Sequence, residues 1–204
     1  MNTLTSALHE VQSWPSHPTA EDLSRAWRLD WRFLLPDPVL SEVACAVRPA
    51  SSLERALHEF CDEVTHLDLA GAPKSRHELV VLDQGSLFRL ASAAGMVAGG
   101  GWLYAEFSRR PCDFLGWLHY PQRCRRRLEH LGFDNVAISW HRPGFDGCVE
   151  IIPLADTASR AFVMCRTSAN WRSRLKLRIG RALDRTGLLP FVVPCFSVVA
   201  RKRP

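Results

Sequence analysis

Apolar residues in the middle of the chain follow two spacings, one typical of strands and one typical of a helix. Residues 79–82 form a continuous apolar run too short for a helix, which indicates a strand buried on both faces. Ser86 is placed to cap a following helix. That helix has apolar residues at Leu87, Leu90, Ala91 and Ala94. Glycines 99–101 then end it, and residues 102–107 form a second apolar strand. The pattern predicts a βαβ unit of a parallel α/β sheet.

The residues before this unit also predict a strand, a helix and a strand. Residues 42–47 predict a first strand, 51–62 a helix and 64–68 a second strand. Asp68 follows the first strand by about twenty residues, the distance at which dinucleotide-binding folds place an acid that accepts the ribose hydroxyls. We therefore expect a nucleotide-binding half of a Rossmann-type sheet.

The second half of the chain contains further strands and a basic helix. Residues 136–140 predict a strand, while residues 148–153 and 160–165 are apolar enough to be strands or to pack as an inserted cap. Residues 170–187 predict a basic amphipathic helix. Its predicted inner face comprises Leu175, Ile179, Ala182 and Leu183.

Residues 1–36 differ in character from the rest. They include the aromatic residues Trp27, Trp31 and Phe33, separated by charged residues. We expect this segment to be an N-terminal extension that packs as a clasp on the edge of a domain formed by residues 37–204. Its alternatives are a wall of a ligand pocket or a partner surface.

Three short motifs resemble a known family. Residues 100–106 read Gly-Gly-Trp-Leu-Tyr-Ala-Glu, residues 128–133 read Leu-Glu-His-Leu-Gly-Phe, and residues 194–202 form an apolar closing segment. In this order they resemble the class I S-adenosylmethionine (SAM)-dependent methyltransferases. The resemblance implies a three-layer α/β Rossmann-type sheet that is mostly parallel with an antiparallel last strand.

Two features depart from that family. The turn after the first strand, residues 48–52, reads Arg-Pro-Ala-Ser-Ser where a glycine-rich turn normally brings the backbone close to the cofactor. Residues 69–76 are too few to hold the helix and strand expected between Asp68 and His77. One βα unit is therefore predicted to be missing or shortened.

These departures lead to two functional hypotheses. The first is a methyltransferase-like domain that binds no cofactor and acts as a non-catalytic binding or accessory subunit in a biosynthetic pathway. The alternative is a divergent SAM-dependent methyltransferase that acts on a small molecule or glycan precursor. In the alternative, Asp68, Asp83 and Gln84 contact the cofactor, and His141 or His119 is the catalytic base.

Each of these site residues also has a structural interpretation. Asp83 and Gln84 follow the predicted central strand, where open α/β sheets bind ligands, but helix capping or a turn explains them equally well. For His119 and His141, a solvent-facing or core position is the commoner role.

Composition and charge limit the cellular location, the state of the cysteines and the metal sites to be expected. The chain has 204 residues and a net charge of +5, and no uninterrupted apolar run is long enough for a membrane span, so a cytoplasmic location is the default. The seven cysteines form no Cys-x-x-Cys pair, and no histidine spacing predicts a metal site, so free thiols and no metal are expected.

The basic helix leaves two interpretations open: a plain surface helix, or a helix that contacts anionic lipid or an acidic protein at the membrane periphery. The arginines concerned are Arg172, Arg174, Arg178, Arg181 and Arg185. No specific nucleic-acid signature is present, and any partner is expected to be a protein or a small molecule.

Overall fold

The computed structural model describes residues 19–71, 75–109, 117, 119–165 and 171–204, with the side chains of 171–174 and 176 left out. The described residues form seven strands. They are β1 (Glu42–Ala46), β2 (Glu63–His66), β3 (His77–Leu82), β4 (Val97–Ser108), β5 (Phe133–Arg142), β6 (Glu150–Pro153) and β7 (Cys195–Lys202).

These strands form one mixed sheet in the order β2-β1-β3-β4-β7-β5-β6. The pairs β1–β2, β1–β3 and β3–β4 are parallel, whereas β7 is antiparallel to both of its neighbours, β4 and β5. β6 adds an antiparallel edge strand beside β5. The α/β class and the antiparallel last strand predicted from the sequence are confirmed.

Helices cover both faces of the sheet, and they begin where the sequence provides caps. The helices are α1 (Ala20–Trp27), α2 (Ser52–Phe60), α3 (Leu87–Gly95), α4 (Tyr120–His130), α5 (Thr157–Cys165), α6 (Trp171–Arg185) and α7 (Leu189–Val192). Ser51 caps α2 and Ser86 caps α3, each by accepting a hydrogen bond from a backbone N–H three residues later. No helix in the described parts of the chain is long and apolar enough to cross a bilayer.

Alternate residues of the central strands face two separate cores, which explains why these strands read as continuous apolar runs. Val81 packs toward α2 and the N-terminal segment, whereas its neighbours Val80 and Leu82 pack toward α3 and α4. The sheet is thus the middle layer of three.

The shortened unit is visible between β2 and β3. Residues 67–71 and 75–76 form neither helix nor strand, and β2 is the last strand on that side of the sheet. The sheet is therefore truncated beside β2, as the length of this connection predicts.

The N-terminal segment is described from residue 19 onward. After α1, a 3₁₀ turn (Asp30–Leu34) carries Trp31, which is buried and stacks on Tyr104 of β4 with ring centroids 3.9 Å apart. Trp27, in contrast, is half exposed. Of these two tryptophans, Trp31 is therefore the one that attaches the N-terminal segment to the sheet.

Three local predictions are wrong. The helix α3 ends before the glycines, which belong to β4; a side chain at Gly101 would meet the carbonyl of Glu78. Residues 160–165 are not a strand but part of the helix α5. In α6, the predicted inner face is only partly correct: Leu183 packs against the core, but Leu175, Ile179 and Ala182 are exposed, and Leu177 packs there instead.

Candidate functional site

A cleft of about 660 Å³ opens at the carboxyl edge of the sheet, where β1, β3 and β4 end. This volume is within the range of small-molecule sites, and the carboxyl edge is where open α/β sheets bind ligands. α1 and the loop between β5 and β6 contribute the remaining walls. The residues whose charged or polar side chains line the cleft include Arg28, Arg48, Arg55, Asp83, Gln84, Glu106 and Asp146.

The turn that connects β1 to α2 lines the cleft. The Ser51 N–H donates to the carbonyl of Arg48 at 3.2 Å, which closes the turn. Pro49 stands at the second position, and Ala50 has a φ of 58°, the arrangement of a type II turn that normally places glycine third. The chain thus makes the tight bend without glycine, and Ala50 adds only a methyl group.

Asp83 is the buried acid of the cleft. Its Oδ2 accepts hydrogen bonds from the backbone N–H and from Nε of Arg48, both at 3.1 Å. Its Oδ1 is buried and has no hydrogen-bond partner among the described residues, since Nη1 of Arg89 lies 3.9 Å away. A buried carboxylate oxygen without a donor costs free energy, so this atom suits a cationic or N–H-bearing ligand.

Arg48 and Gln84 meet next to Asp83. The Arg48 side chain is 60% exposed even though its Nε is bonded to Asp83, so a ligand in the cleft can reach it. With the Gln84 amide oriented so that its oxygen faces Arg48, that oxygen lies 2.8 Å from Nη1. Arg89 holds the backbone of this corner by donating to the carbonyls of Ala46, Asp83 and Gln84.

A buried ion pair closes the opposite wall. Arg28 donates to both carboxylate oxygens of Glu106, at 2.5 and 2.6 Å, and the Tyr104 hydroxyl donates to Glu106 at 2.7 Å. Burial, reinforced by the negative charge of Glu106, raises the pKa of Tyr104 well above its ordinary value. Glu106 is therefore fully engaged by the protein and forms a fixed part of the wall.

Residues of the loop between β5 and β6 lie over the cleft. Asp146 accepts a hydrogen bond from the Ser52 hydroxyl, and its Oδ1 lies 3.5 Å from Nε of Arg28. Its side chain is 83% exposed. Asp146 is thus an exposed carboxylate in the lining of the cleft, where it could reach a proton on a bound acceptor.

The five site residues predicted from the sequence occupy four different places. Asp83 and Gln84 line the cleft together. Asp68 is exposed after β2 and accepts a hydrogen bond from the backbone N–H of Ala70, outside the lining of the cleft. His119 is exposed before α4, with its ring 4.6 Å from that of Phe191, also outside the lining.

His141 is buried behind the cleft. One ring nitrogen, Nε2, lies 2.7 Å from the Ser197 hydroxyl, and the other, Nδ1, lies 3.4 Å from the sulfur of Cys148. Burial, with a smaller effect of the Arg28 charge, lowers the pKa of His141 to about 3. Phe145 separates it from the opening, because this ring contacts His141 and lines the cleft.

Part of the cleft lining was not predicted from the sequence. Arg28, Arg48 and Asp146 come from three distant segments, and only the folded sheet brings them to one edge. A cluster beside the cleft, formed by Glu54, His58 and His66, was not predicted either, although Glu54 and His58 have the four-residue spacing of one helix face. His66 joins them only because β2 pairs with β1.

Comparison with known proteins concerns the fold. Protein-family models and curated proteins give no match to this chain. Among solved structures, a SAM-dependent methyltransferase from Archaeoglobus fulgidus is similar, at 14% identity and a TM-score of 0.49, over 90% of this chain and 95% of that chain. The sheet with an antiparallel last strand is the arrangement that the resemblance in the sequence implies.

Two further similar structures contain the cofactor or its product. Human N-acetylserotonin methyltransferase in complex with SAM is 10% identical, with a TM-score of 0.44, over 90% of this chain and 54% of that chain. The other is Haemonchus contortus phosphoethanolamine N-methyltransferase 2, in complex with phosphomonomethylethanolamine and S-adenosylhomocysteine. It is 10% identical, with a TM-score of 0.40, over 81% of this chain and 49% of that chain. The expectation of no cofactor is corrected by these complexes, which point to SAM instead.

Proposed function

We propose that this protein is a divergent SAM-dependent methyltransferase that acts on a small molecule or glycan precursor. The observation that carries the proposal is the polar cleft beside the turn after β1. Its lining includes Asp83, whose Oδ1 is buried and has no hydrogen-bond partner among the described residues. The methyltransferase-like sheet places this cleft at the edge where such folds bind ligands.

The groups of the cleft fit the amino-acid end of SAM. Its ammonium group suits Asp83, whose Oδ1 needs a donor, and its carboxylate suits Arg48, whose side chain is largely exposed. The free N–H groups at the start of α2 add a positive potential beside the same end. Asp68 remains our prediction for the ribose contact, because it follows the strand next to β1.

When bound, SAM supplies an electrophilic methyl group. The protein's task is then to orient an acceptor and remove its proton. Asp146 is the candidate for that role, because its carboxylate is exposed at the cleft, whereas Glu106 is fully engaged by Arg28 and Tyr104. His141 is buried and His119 lies elsewhere, so neither reaches this opening as placed here.

Calorimetric titration of the full chain with SAM and with S-adenosylhomocysteine tests the proposal. We expect saturable binding of both, and we expect Arg48→Gln to weaken it by about ten- to a hundredfold through loss of a charge-assisted contact. Arg126→Gln, at an exposed arginine of α4 far from the cleft, is the matched control and should bind normally. No saturation by either nucleotide at about 1 mM would refute the proposal.

A methyl-transfer assay beside the titration distinguishes a non-catalytic accessory role. Binding of both nucleotides, with no transfer of a labelled methyl group to a panel of small hydroxyl and amine acceptors, would support an accessory subunit that retains the cofactor.

A second candidate function, contact with an anionic membrane surface, is favoured by the exposed face of α6. Leu175 and Ile179 are about half exposed, and Arg178 and Arg185 are exposed beside them. An apolar strip flanked by arginines is typical of helices that lie in the headgroup region.

A further inference from the structure

Three side chains that can bind a metal converge beside the cleft turn. Glu54 and His58 project from α2, and His66 ends β2. One ligand atom from each residue can be chosen so that all three lie within 4.8 Å of one another. Nε2 of His58 and Nε2 of His66 are 3.2 Å apart, and Nε2 of His66 is 3.7 Å from Oε1 of Glu54.

The separations of 3.2 and 3.7 Å are close to those between ligands of a tetrahedral zinc ion. Zinc–nitrogen and zinc–oxygen bonds are about 2.0–2.2 Å long, so two ligand atoms of one tetrahedron lie about 3.3–3.6 Å apart. The two imidazole nitrogens and the carboxylate oxygen are therefore close to the positions that one ion would require. Both histidines are exposed and Glu54 is half-buried, so an ion and a solvent ligand have access.

Neighbouring groups orient two of the three ligands. The second oxygen of Glu54, Oε2, accepts a hydrogen bond from the Ala50 N–H, which leaves Oε1 directed at the histidines. Nδ1 of His66 lies 3.7 Å from the sulfur of Cys45. An N–H at Nδ1 that donates to this sulfur leaves the lone pair of Nε2 for a metal. Such second contacts direct the other ring nitrogen toward a metal.

We propose that Glu54, His58 and His66 bind one divalent transition-metal ion of the zinc type, with solvent as the fourth ligand. Imidazole ligands favour zinc, copper or nickel over calcium and magnesium, which bind mainly oxygen. Through the Ala50–Glu54 hydrogen bond, the ion stabilises the turn that lines the cleft, and it joins α2 to β2. This site is separate from the proposed SAM contacts at Arg48 and Asp83.

The test is a Co²⁺ titration of tag-free, chelator-treated full chain, followed by visible absorption and without SAM. We expect one Co²⁺ per chain, the intense absorption of tetrahedral cobalt, and displacement by one equivalent of Zn²⁺. His58→Gln and His66→Gln should each weaken binding at least tenfold. His130→Gln, at an exposed histidine of α4, is the matched control and should leave binding unchanged.

Thermal unfolding separates loss of the site from loss of the fold. The single variants should have melting temperatures close to that of the metal-free wild type, because both histidines are exposed. Zn²⁺ at a hundredfold excess over its dissociation constant should raise the melting temperature of the wild type by about 5 °C or more. The double variant, His58→Gln with His66→Gln, should gain much less. Equal Co²⁺ binding by wild type and double variant, or no saturable binding at about 1 mM, would overturn the proposal.

Discussion

Ala50 occupies the third position of the turn between β1 and α2, where a type II turn normally has glycine. Its φ of 58° lies in the left-handed region, where a Cβ costs about 1–2 kcal/mol, although glycine loses more backbone entropy on folding. We expect Ala50→Gly to raise the free energy of unfolding by about 0.5 kcal/mol, measured by urea denaturation. Ala158→Gly, in the first turn of α5, is the control and should lower it by about 0.5–1 kcal/mol. A comparable loss in both variants would contradict this account of the turn.

His141 makes the stability of the fold depend on pH. Its pKa in the folded protein is about 3, below the ordinary 6.5, so between these values the unfolded chain binds the proton more readily. Stability from this residue is therefore complete above pH 6.5 and is lost as the pH falls toward 3. Between pH 7.5 and pH 5.0 we expect the wild type to lose about 2 kcal/mol more than His141→Gln, measured by urea unfolding. Equal losses in the two proteins would show that His141 is not responsible.

Position at the end of a strand predicted which residues line the cleft better than residue type did. Asp83 and Gln84 were predicted at the sheet edge because they follow a strand, and the structure places both in the cleft lining. His119 and His141 were chosen for their chemistry, but neither lines the cleft. Burial of His141 depends on Ser197 and Phe145, which meet it only in the folded sheet.

The N-terminal element is attached to the sheet through the buried pair Arg28–Glu106. Arg28→Met leaves the Glu106 charge buried without its partner, so we expect a loss of about 3–5 kcal/mol in the free energy of unfolding. Adding Glu106→Gln to the same chain should restore most of it. The control is Arg25→Met, which removes a half-exposed pair with Asp22 and should cost no more than about 1 kcal/mol. If the double variant is no more stable than Arg28→Met, the uncompensated charge is not the cause.

The helix α6 shows why an element can be predicted correctly while its buried face is not. The spacing of leucines suggested a face through Leu175 and Ile179, yet Gly180 is buried and those two residues are exposed. Glycine lacks a side chain, which lets Met164 of α5 approach closely, and a hydrophobic pattern gives no weight to such a position. The pair Arg160–Asp184, with Nε and Oδ1 2.6 Å apart, aligns the same two helices.

The extent of the sheet follows from the length of one connection, whereas the space beside the first turn does not follow from its residue types. The connection of residues 69–76 is too short for a βα unit whatever its composition, and the sheet ends at β2 accordingly. The loss of the cofactor was inferred from the absence of glycine in residues 48–52. A backbone that bends through Pro49 and Ala50 leaves a cleft beside it, and the space available there cannot be read from residue types alone.

The net charge of +5 is partly concentrated on the exposed side of α6, and this distribution predicts an interaction of the whole protein. Arg178 and Arg185 are exposed, Arg181 donates to the carbonyl of Met164, and the side chains of Arg172 and Arg174 lie outside the described residues. Each exposed arginine near an anionic membrane contributes about 1 kcal/mol, in addition to burial of neighbouring leucines. The wild type should therefore co-sediment with phosphatidylserine vesicles and not with neutral phosphatidylcholine vesicles.

Charge reversal on α6 distinguishes this interaction from a general attraction of a basic protein. Arg178→Glu with Arg185→Glu should weaken co-sedimentation at least tenfold, because two attractive charges become repulsive. Arg126→Glu with Arg127→Glu makes the same change in net charge on the exposed side of α4 and is the matched control. Equal weakening in both double variants would indicate a non-specific effect of net charge. No sedimentation of the wild type would mean that α6 is a plain surface helix, with its exposed leucine and isoleucine in water.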